Sequence, residues 1–259
     1  MTARGAQRIV LVGDVHGDRA RLERSLALLG DSRADLLLLT GDVGVDPPWH
    51  RAQRITHRAE HDASVAAILA CAAELCRSPV VFVPGNHDLP DPPPHPQAVN
   101  ADGRVVEVAG LSIAGFGGAG PTTFGFAYEW TEEEGERRLQ ESFAGIASPD
   151  ILLSHNPPAG TALDRTERGP NVGSPAVKRA IAGLRPALFV CGHIHEAWGV
   201  EWLDGVPCVN AGGLGEPYGR EIVWSVDWDA GPATLRSLVR GADGRPRERV
   251  WSAGQSAAG

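Results

Sequence analysis

Cysteine is scarce in this chain, and basic residues are outnumbered by acidic ones. The four cysteines, Cys71, Cys76, Cys191 and Cys208, have neither the paired spacing of a zinc site nor the density of a secreted disulfide scaffold, so they read as reduced core or helix residues. Lys and Arg total 24 against 32 Asp and Glu, and the formal charge of −8 removes any general attraction to nucleic acid or anionic membrane. No apolar run approaches the roughly 20 residues of a membrane span. No signal-peptide-like segment or acylation motif precedes the first strand pattern, so a cytoplasmic protein without membrane contact is expected. Internal repeats are missing as well. What the chain does have is Gly 32 and Pro 20, hence many turns, in 259 residues. That length predicts one domain over residues 1–251 with a loose tail at 252–259.

Short apolar runs bounded by Gly, Pro or polar clusters predict strands over Arg8–Val12, Asp35–Thr40, Val80–Val83, Val105–Val108, Leu111–Phe116, Ile151–Ser154 and Ala187–Cys191. Later runs at Pro207–Asn210, Glu221–Trp228 and Thr234–Val239 predict a second, largely antiparallel group, giving about ten strands in two sheets. Four helical patterns lie between them. Asp18 is an N-cap before Leu22, Leu26 and Leu29; Gln53–Cys76 carries a stripe of Val65, Ile68, Leu69, Ala72 and Leu75. Thr131 and Glu134 form a capping box ahead of Leu139 and Phe143, and Ser174-Pro175 opens a helix carrying Val177, Ile181 and Leu184. The proline-rich stretch Asp88–Gln97 predicts a stiff surface loop. Arg245–Arg249 reads as a solvated stretch, and His50, His57, His61 and His95 as surface residues.

GDVHGD, at Gly13 to Asp18, puts Asp14 and His16 directly after an apolar strand. The oddity recurs: Asp42 in GDVG, Asn86 and His87 in GNHD, His155 in SHNPP, and His193 and His195 in GHIH each follow a predicted strand. One such residue is ordinarily a helix cap or a satisfied loop side chain. Five strand ends supplying Asp, Asn or His, and none supplying Cys, form a different pattern. Strand ends are where an α/β sheet builds its site. Oxygen and nitrogen ligands in that number suit two divalent ions such as Mn, Fe or Zn.

In this order DVHGD, GDVG, GNHD, SHNPP and GHIH resemble the calcineurin-like metallophosphoesterase superfamily, over about residues 8–210. The resemblance implies an α+β (α/β) fold, a four-layer αββα sandwich of two mixed β-sheets with a dinuclear site at their edge. It implies that Asp14, His16, Asp42 and His195 hold one metal and Asp42, Asn86, His155 and His193 the other, with Asp42 bridging. A metal-bridging hydroxide would attack phosphorus, and His87 would stabilise the transition state and protonate the leaving oxygen. The donor set suits this chemistry, because neutral imidazoles and an amide leave two dications enough Lewis acidity for a phosphate.

Two departures narrow the reading. Protein phosphatases of the superfamily continue GD as GDxVDRG; here Val45 takes the place of the second Asp, Asp46 follows one later, and the Arg is missing. GNHD replaces their GNHE, so protein phosphatase activity is not expected, and either Asp46 or Asp88 is left to support His87. No capping domain or basic track of the superfamily's nucleases is present, so extended nucleic acid is not an expected partner. GHIHEAWG, with GPNVGSPAV upstream and VNAGG downstream, resembles the small class III phosphodiesterase-like branch. That implies a phosphodiesterase acting on a small nucleotide or similar diester. The alternatives are a phosphomonoesterase on a small metabolite and a non-catalytic interaction protein of the same fold. Asn171, Glu196, Trp198, Asn210 and Tyr218, close to the motif loops, are the candidate substrate contacts.

Overall fold

Apolar runs of a few residues, cut short by Gly or Pro, leave no room for a helix and favour strands covered on both faces. The computed structural model describes residues 6–30, 33–47, 56–167, 169–216 and 218–252. In it β1 (Gln7–Val12), β2 (Leu36–Leu39) and β3 (Val80–Phe82) have this character, with Ile9, Val10, Leu11 and Leu36 to Leu38 fully buried. They run parallel and continue into the short β4 (Ala98–Asn100). On the other side of β1 lie the antiparallel strands β11 (Ile222–Trp228), β12 (Pro232–Arg240) and β13 (Pro246–Ser252). The first sheet therefore has the order β13-β12-β11-β1-β2-β3-β4.

The second sheet has the order β5-β6-β7-β8-β10-β9. β6 (Leu111–Phe116), β7 (Ile151–Ser154), β8 (Leu188–Cys191) and β10 (Val206–Asn210) are parallel, while β5 (Arg104–Val108) and β9 (Gly199–Leu203) pair antiparallel at the edges. Alternation along these strands divides their side chains between two cores. Ile113, Ile151, Leu153, Leu188 and Val190 join the first sheet, whereas Ala114, Phe116, Leu152, Phe189 and Cys208 face two helices. Those helices are α3 (Glu132–Ser142) and α4 (Pro175–Leu184); α1 (Arg19–Leu26) and α2 (Arg58–Leu75) pack Leu22, Val65, Ile68 and Leu69 into the first core. Four layers, αββα, result, as the family resemblance implies.

The caps fall where expected. Asp18 accepts from Arg21 N at 2.9 Å, Thr131 and Glu134 make a reciprocal box, and Ser174 accepts from Val177 N ahead of Pro175. All four cysteines are free and buried. Among the described residues no helix is long and apolar enough to cross a membrane.

Other expectations need correction. β4, β9 and β13 were not read from the sequence. β13 takes in most of the stretch predicted to be merely solvated: apart from Trp251, which packs against the first core, its side chains are exposed, but its backbone pairs with β12 from Pro246 to Ser252. His61 is not a surface residue. It is 1% exposed on the inner face of α2, with Nδ1 2.7 Å from Val45 O. Residues 53–55 of the predicted long helix, His50 and most of the predicted tail lie outside the described residues.

Candidate metal centre

The C-terminal ends of β1, β2, β3, β7 and β8 meet at one edge of the sandwich. Backbone bonds lock their loops together: His16 N donates to Asp42 O at 2.8 Å, Gly17 N to Val43 O at 3.1 Å, and Gly192 N to His155 O at 3.1 Å. The turns are strained. Asp14, His16, Asp42 and His193 have φ of 27°, 48°, 47° and 69°, a left-handed region that costs a non-glycine residue roughly 1–3 kcal/mol and clusters at functional sites. The strain turns the backbone so that His87 N donates to Asp42 Oδ1 at 2.9 Å and His193 N to Asp14 Oδ2 at 2.6 Å. Two glycines permit this approach: a Cβ on Gly85 would lie 2.0 Å from Asp42 Oδ1, and one on Gly192 would lie 2.4 Å from Asp14 Oδ1.

Seven of the predicted side chains converge here. Asp42 Oδ2 lies 3.6 Å from His16 Nε2 and 3.5 Å from His155 Nε2. His195 Nε2 is 3.2 Å from Asp14 Oδ2 and 3.3 Å from His16 Nε2, and His155 Nε2 is 2.9 Å from Asn86 Oδ1. The His193 ring stands edge-on to His155 at 5.0 Å. The donor set fits a cation. Asp14 and Asp42 are 0% and 2% exposed, and among the described residues no Lys or Arg pairs with either. The amide nitrogen of Asn86 is buried without a hydrogen-bond partner. Two groups could each hold an ion, His16, Asp42 and His87, and Asp14, Asp42 and His155; Asp42 belongs to both.

Electrostatics follow from this crowding. Burial opposes charge on Asp42, but His155, His87 and His16 outweigh it and hold the carboxyl below the usual carboxylate range. Burial likewise opposes charge on Asp14, and the hydrogen bond from His195 prevails. Burial pushes His193 down to about 3, leaving it neutral. For His87 burial works against protonation, yet Asp42 and Asp46 carry it up to about 9.

Asp46 also answers which acid stands behind His87. Its Oδ1 accepts from His16 Nδ1 at 2.7 Å and lies 3.1 Å from His87 Nδ1, off the ring N–H direction. Asp88 turns away and accepts from the amides of Val43, Gly44 and Gly85 at 2.9–3.1 Å, stapling the GDVG loop to the GNHD loop, with His61 Nε2 3.6 Å behind it.

The model of the calcineurin-like phosphoesterase family matches residues 7–197, which span every loop just described. This chain belongs to that family. A curated relative, the uncharacterised protein MJ1162 of Methanocaldococcus jannaschii, is 26% identical over 210 residues, 78% of this phosphoesterase and 87% of the relative. The same fold occurs in TT1561 of Thermus thermophilus, at TM-score 0.62 and 19% identity over 96% of this chain and 100% of that one. A further crystal structure superposes at TM-score 0.69 and 15% identity, with the same coverage.

The candidate substrate contacts lie around the phosphoesterase centre rather than in it. Asn171 donates to Thr161 O at 2.9 Å, and buried Asn210 donates to Leu163 O and Ile194 O at 2.9 and 3.0 Å, so both tie loops together. Glu196 accepts from Glu167 N at 2.9 Å and, with Trp198, Arg165 and Leu163, lines a cavity of about 460 Å³. The Trp198 ring also lies near the guanidinium groups of Arg220 and Arg249, 5.6 and 5.0 Å away. Tyr218 is 45% exposed. One neighbour was not foreseen: the Phe126 ring stacks on His87 at 3.8 Å. Nothing in GAGPTTFGFAYEW follows a strand-end or ligand pattern, so the sequence carries no signal for it.

Proposed function

We propose that this phosphoesterase is a dinuclear metal-dependent phosphodiesterase that hydrolyses a small nucleotide or similar diester, with residues 1–251 acting as one cytoplasmic domain. One observation carries the reading: two buried carboxylates lie among four imidazoles and an amide, with no Lys or Arg pairing with them among the described residues. On this reading Asp14, His16, Asp42 and His195 hold one divalent ion, and Asp42, Asn86, His155 and His193 the other. Bound there, two ions of Mn, Fe or Zn supply Lewis acidity to the phosphoryl oxygens and an acidified water as nucleophile.

The rest falls to the chain. Asp46 engages His16 Nδ1 and so leaves Nε2, facing Asp42, as the ligand nitrogen. Burial keeps His193 neutral and its lone pair available. His87, whose backbone N–H is fixed on Asp42 and whose Nδ1 lies 3.1 Å from Asp46, donates a proton to the departing oxygen. Phe126 covers one face of that ring and limits its access to water. Among the described residues no Lys or Arg pairs with Asp14 or Asp42, which favours a diester, carrying one negative charge where a monoester approaches two at neutral pH.

The test is hydrolysis of bis-p-nitrophenyl phosphate against p-nitrophenyl phosphate by Mn-reconstituted protein. Preference for the diester, abolished by Asp42→Asn and cut about 10²–10⁴-fold by His87→Ala, is the expected result. A higher kcat/KM for the monoester would replace the reading with a phosphomonoesterase.

A further inference from the structure

Asp46 reaches two imidazoles from an open turn. Its side chain is 45% exposed, so burial does not hold it beside His16 and His87. It also stands four residues after Asp42, where the protein phosphatase pattern has its acid at three. The residue at that earlier position is Val45, and Val45 is where the turn is held.

Both polar backbone groups of Val45 are taken up by α2. Its N–H donates to Ser64 Oγ at 3.1 Å, and its carbonyl oxygen accepts from His61 Nδ1 at 2.7 Å. His61 and Ser64 are three apart and so share a helix face, next to Val65 and Ile68, which anchor α2 in the first core. With Nδ1 donating, Nε2 of the neutral ring is an acceptor, and Leu89 N donates to it at 3.4 Å. The same imidazole thus joins the GDVG loop to the GNHD loop. A Cβ on Gly44 would lie 2.8 Å from His61 Cε1, so the loop comes this close to the helix only with glycine there. A peptide unit is planar, so the His61 bond that fixes the Val45 carbonyl also fixes the nitrogen and Cα of Asp46.

We propose that His61 and Ser64 of α2 are positioning residues for the reaction: by gripping Val45 they aim Asp46 so that one carboxylate serves both His16 Nδ1 and His87 Nδ1. The inference rests on the reading that His16 ligates a metal and His87 protonates the leaving oxygen. The acid displaced by one place along the chain is thereby returned to the centre, and the helix that returns it lies outside every metal-ligand loop. His61 and Ser64 act on the centre only through Asp46, which distinguishes positioning from general support of the fold.

The experiment is a double-substitution cycle read by calorimetric titration of the metal-free chain with Mn. Ser64→Ala and His61→Leu should each weaken Mn binding about tenfold, through His16. In an Asp46→Asn background the same substitutions should change affinity less than about twofold, because the group they position is already gone. Ser64→Thr, which keeps the hydroxyl, and His61→Asn, whose amide nitrogen takes the place of Nδ1, should restore binding. Equal losses in both backgrounds, or full affinity in both Ser64→Ala and His61→Leu, would overturn the proposal; if His61→Leu does not fold, Ser64→Ala decides alone. Proton NMR of the metal-free chain keeps this apart from the functional reading. The His16 Nδ1 proton, held by Asp46, should appear downfield and exchange slowly, and it should be lost in Asp46→Asn and in Ser64→Ala. An undiminished signal in Ser64→Ala would also overturn the positioning role. Absence of Mn binding in the unmutated chain would remove the functional reading alone, and the NMR signal would then decide what places Asp46.

Discussion

Asp46 contacts two imidazoles at once, His16 through a hydrogen bond of 2.7 Å and His87 at 3.1 Å. Replacing it with Asn keeps the shape and removes the charge. Asp46→Asn should weaken metal binding about 10–100-fold, the usual effect of losing an outer partner of a ligating histidine, and lower kcat as well. Calorimetry with Mn checks the first and steady-state kinetics the second; unchanged values in both would leave Asp46 a bystander. The sequence left Asp46 and Asp88 as equal candidates, because a one-residue shift in a loop is invisible without the turn that carries it. His61 misled for a related reason: a lone histidine looks exposed until the inward face of α2 and the carbonyl of Val45 are known.

Strand-end turns hold the proposed ligands, and their geometry depends on what the sheets allow to approach. Gly85→Ala would put a methyl group 2.0 Å from Asp42 Oδ1, and Gly192→Ala one 2.4 Å from Asp14 Oδ1. Each variant should lose at least one equivalent of bound metal while keeping the far-ultraviolet circular dichroism of the sandwich, because the clash lies outside the strands. Full metal content in both would show that the turns relax freely. The same elements mark the limit of sequence reading. β1, β2, β7 and β8 are apolar runs closed by Gly, Pro or a polar turn, and could be read directly. β4, β9 and β13 are short, half-buried or exposed, and their strand character comes from pairing with a neighbour, which no local pattern encodes.

The second sheet, its helices and the loop over His87 are also tied by Tyr128, which donates to Asp102 at 2.5 Å and accepts from Arg138. Burial, with the Asp102 carboxylate adding to it, pushes the Tyr128 hydroxyl above its ordinary 10.0. The folded chain therefore holds this proton longer than the unfolded one. The contribution is complete below about pH 10 and is lost as pH rises beyond it. Urea midpoints at pH 9 and pH 11 should converge between the unmutated protein and Tyr128→Phe, which cannot lose that proton; a constant gap would mean that the hydroxyl does not couple to folding.

Across the molecule, five loops from two sheets have one purpose if they enclose a pair of ions, and Asp42 is the residue common to both halves. The seven candidate ligands were readable as motifs, but their convergence, the strain in their turns and, among the described residues, the lack of a Lys or Arg pairing with Asp14 or Asp42 belong to the fold. The most direct measurement is metal stoichiometry: metal-free protein titrated with Mn, with bound metal counted by mass spectrometry after gel filtration. Two equivalents per chain, falling to one or none in Asp42→Asn, is the predicted result. No more than one equivalent in the unmutated chain, or two retained in Asp42→Asn, would contradict a dinuclear centre bridged by that carboxylate.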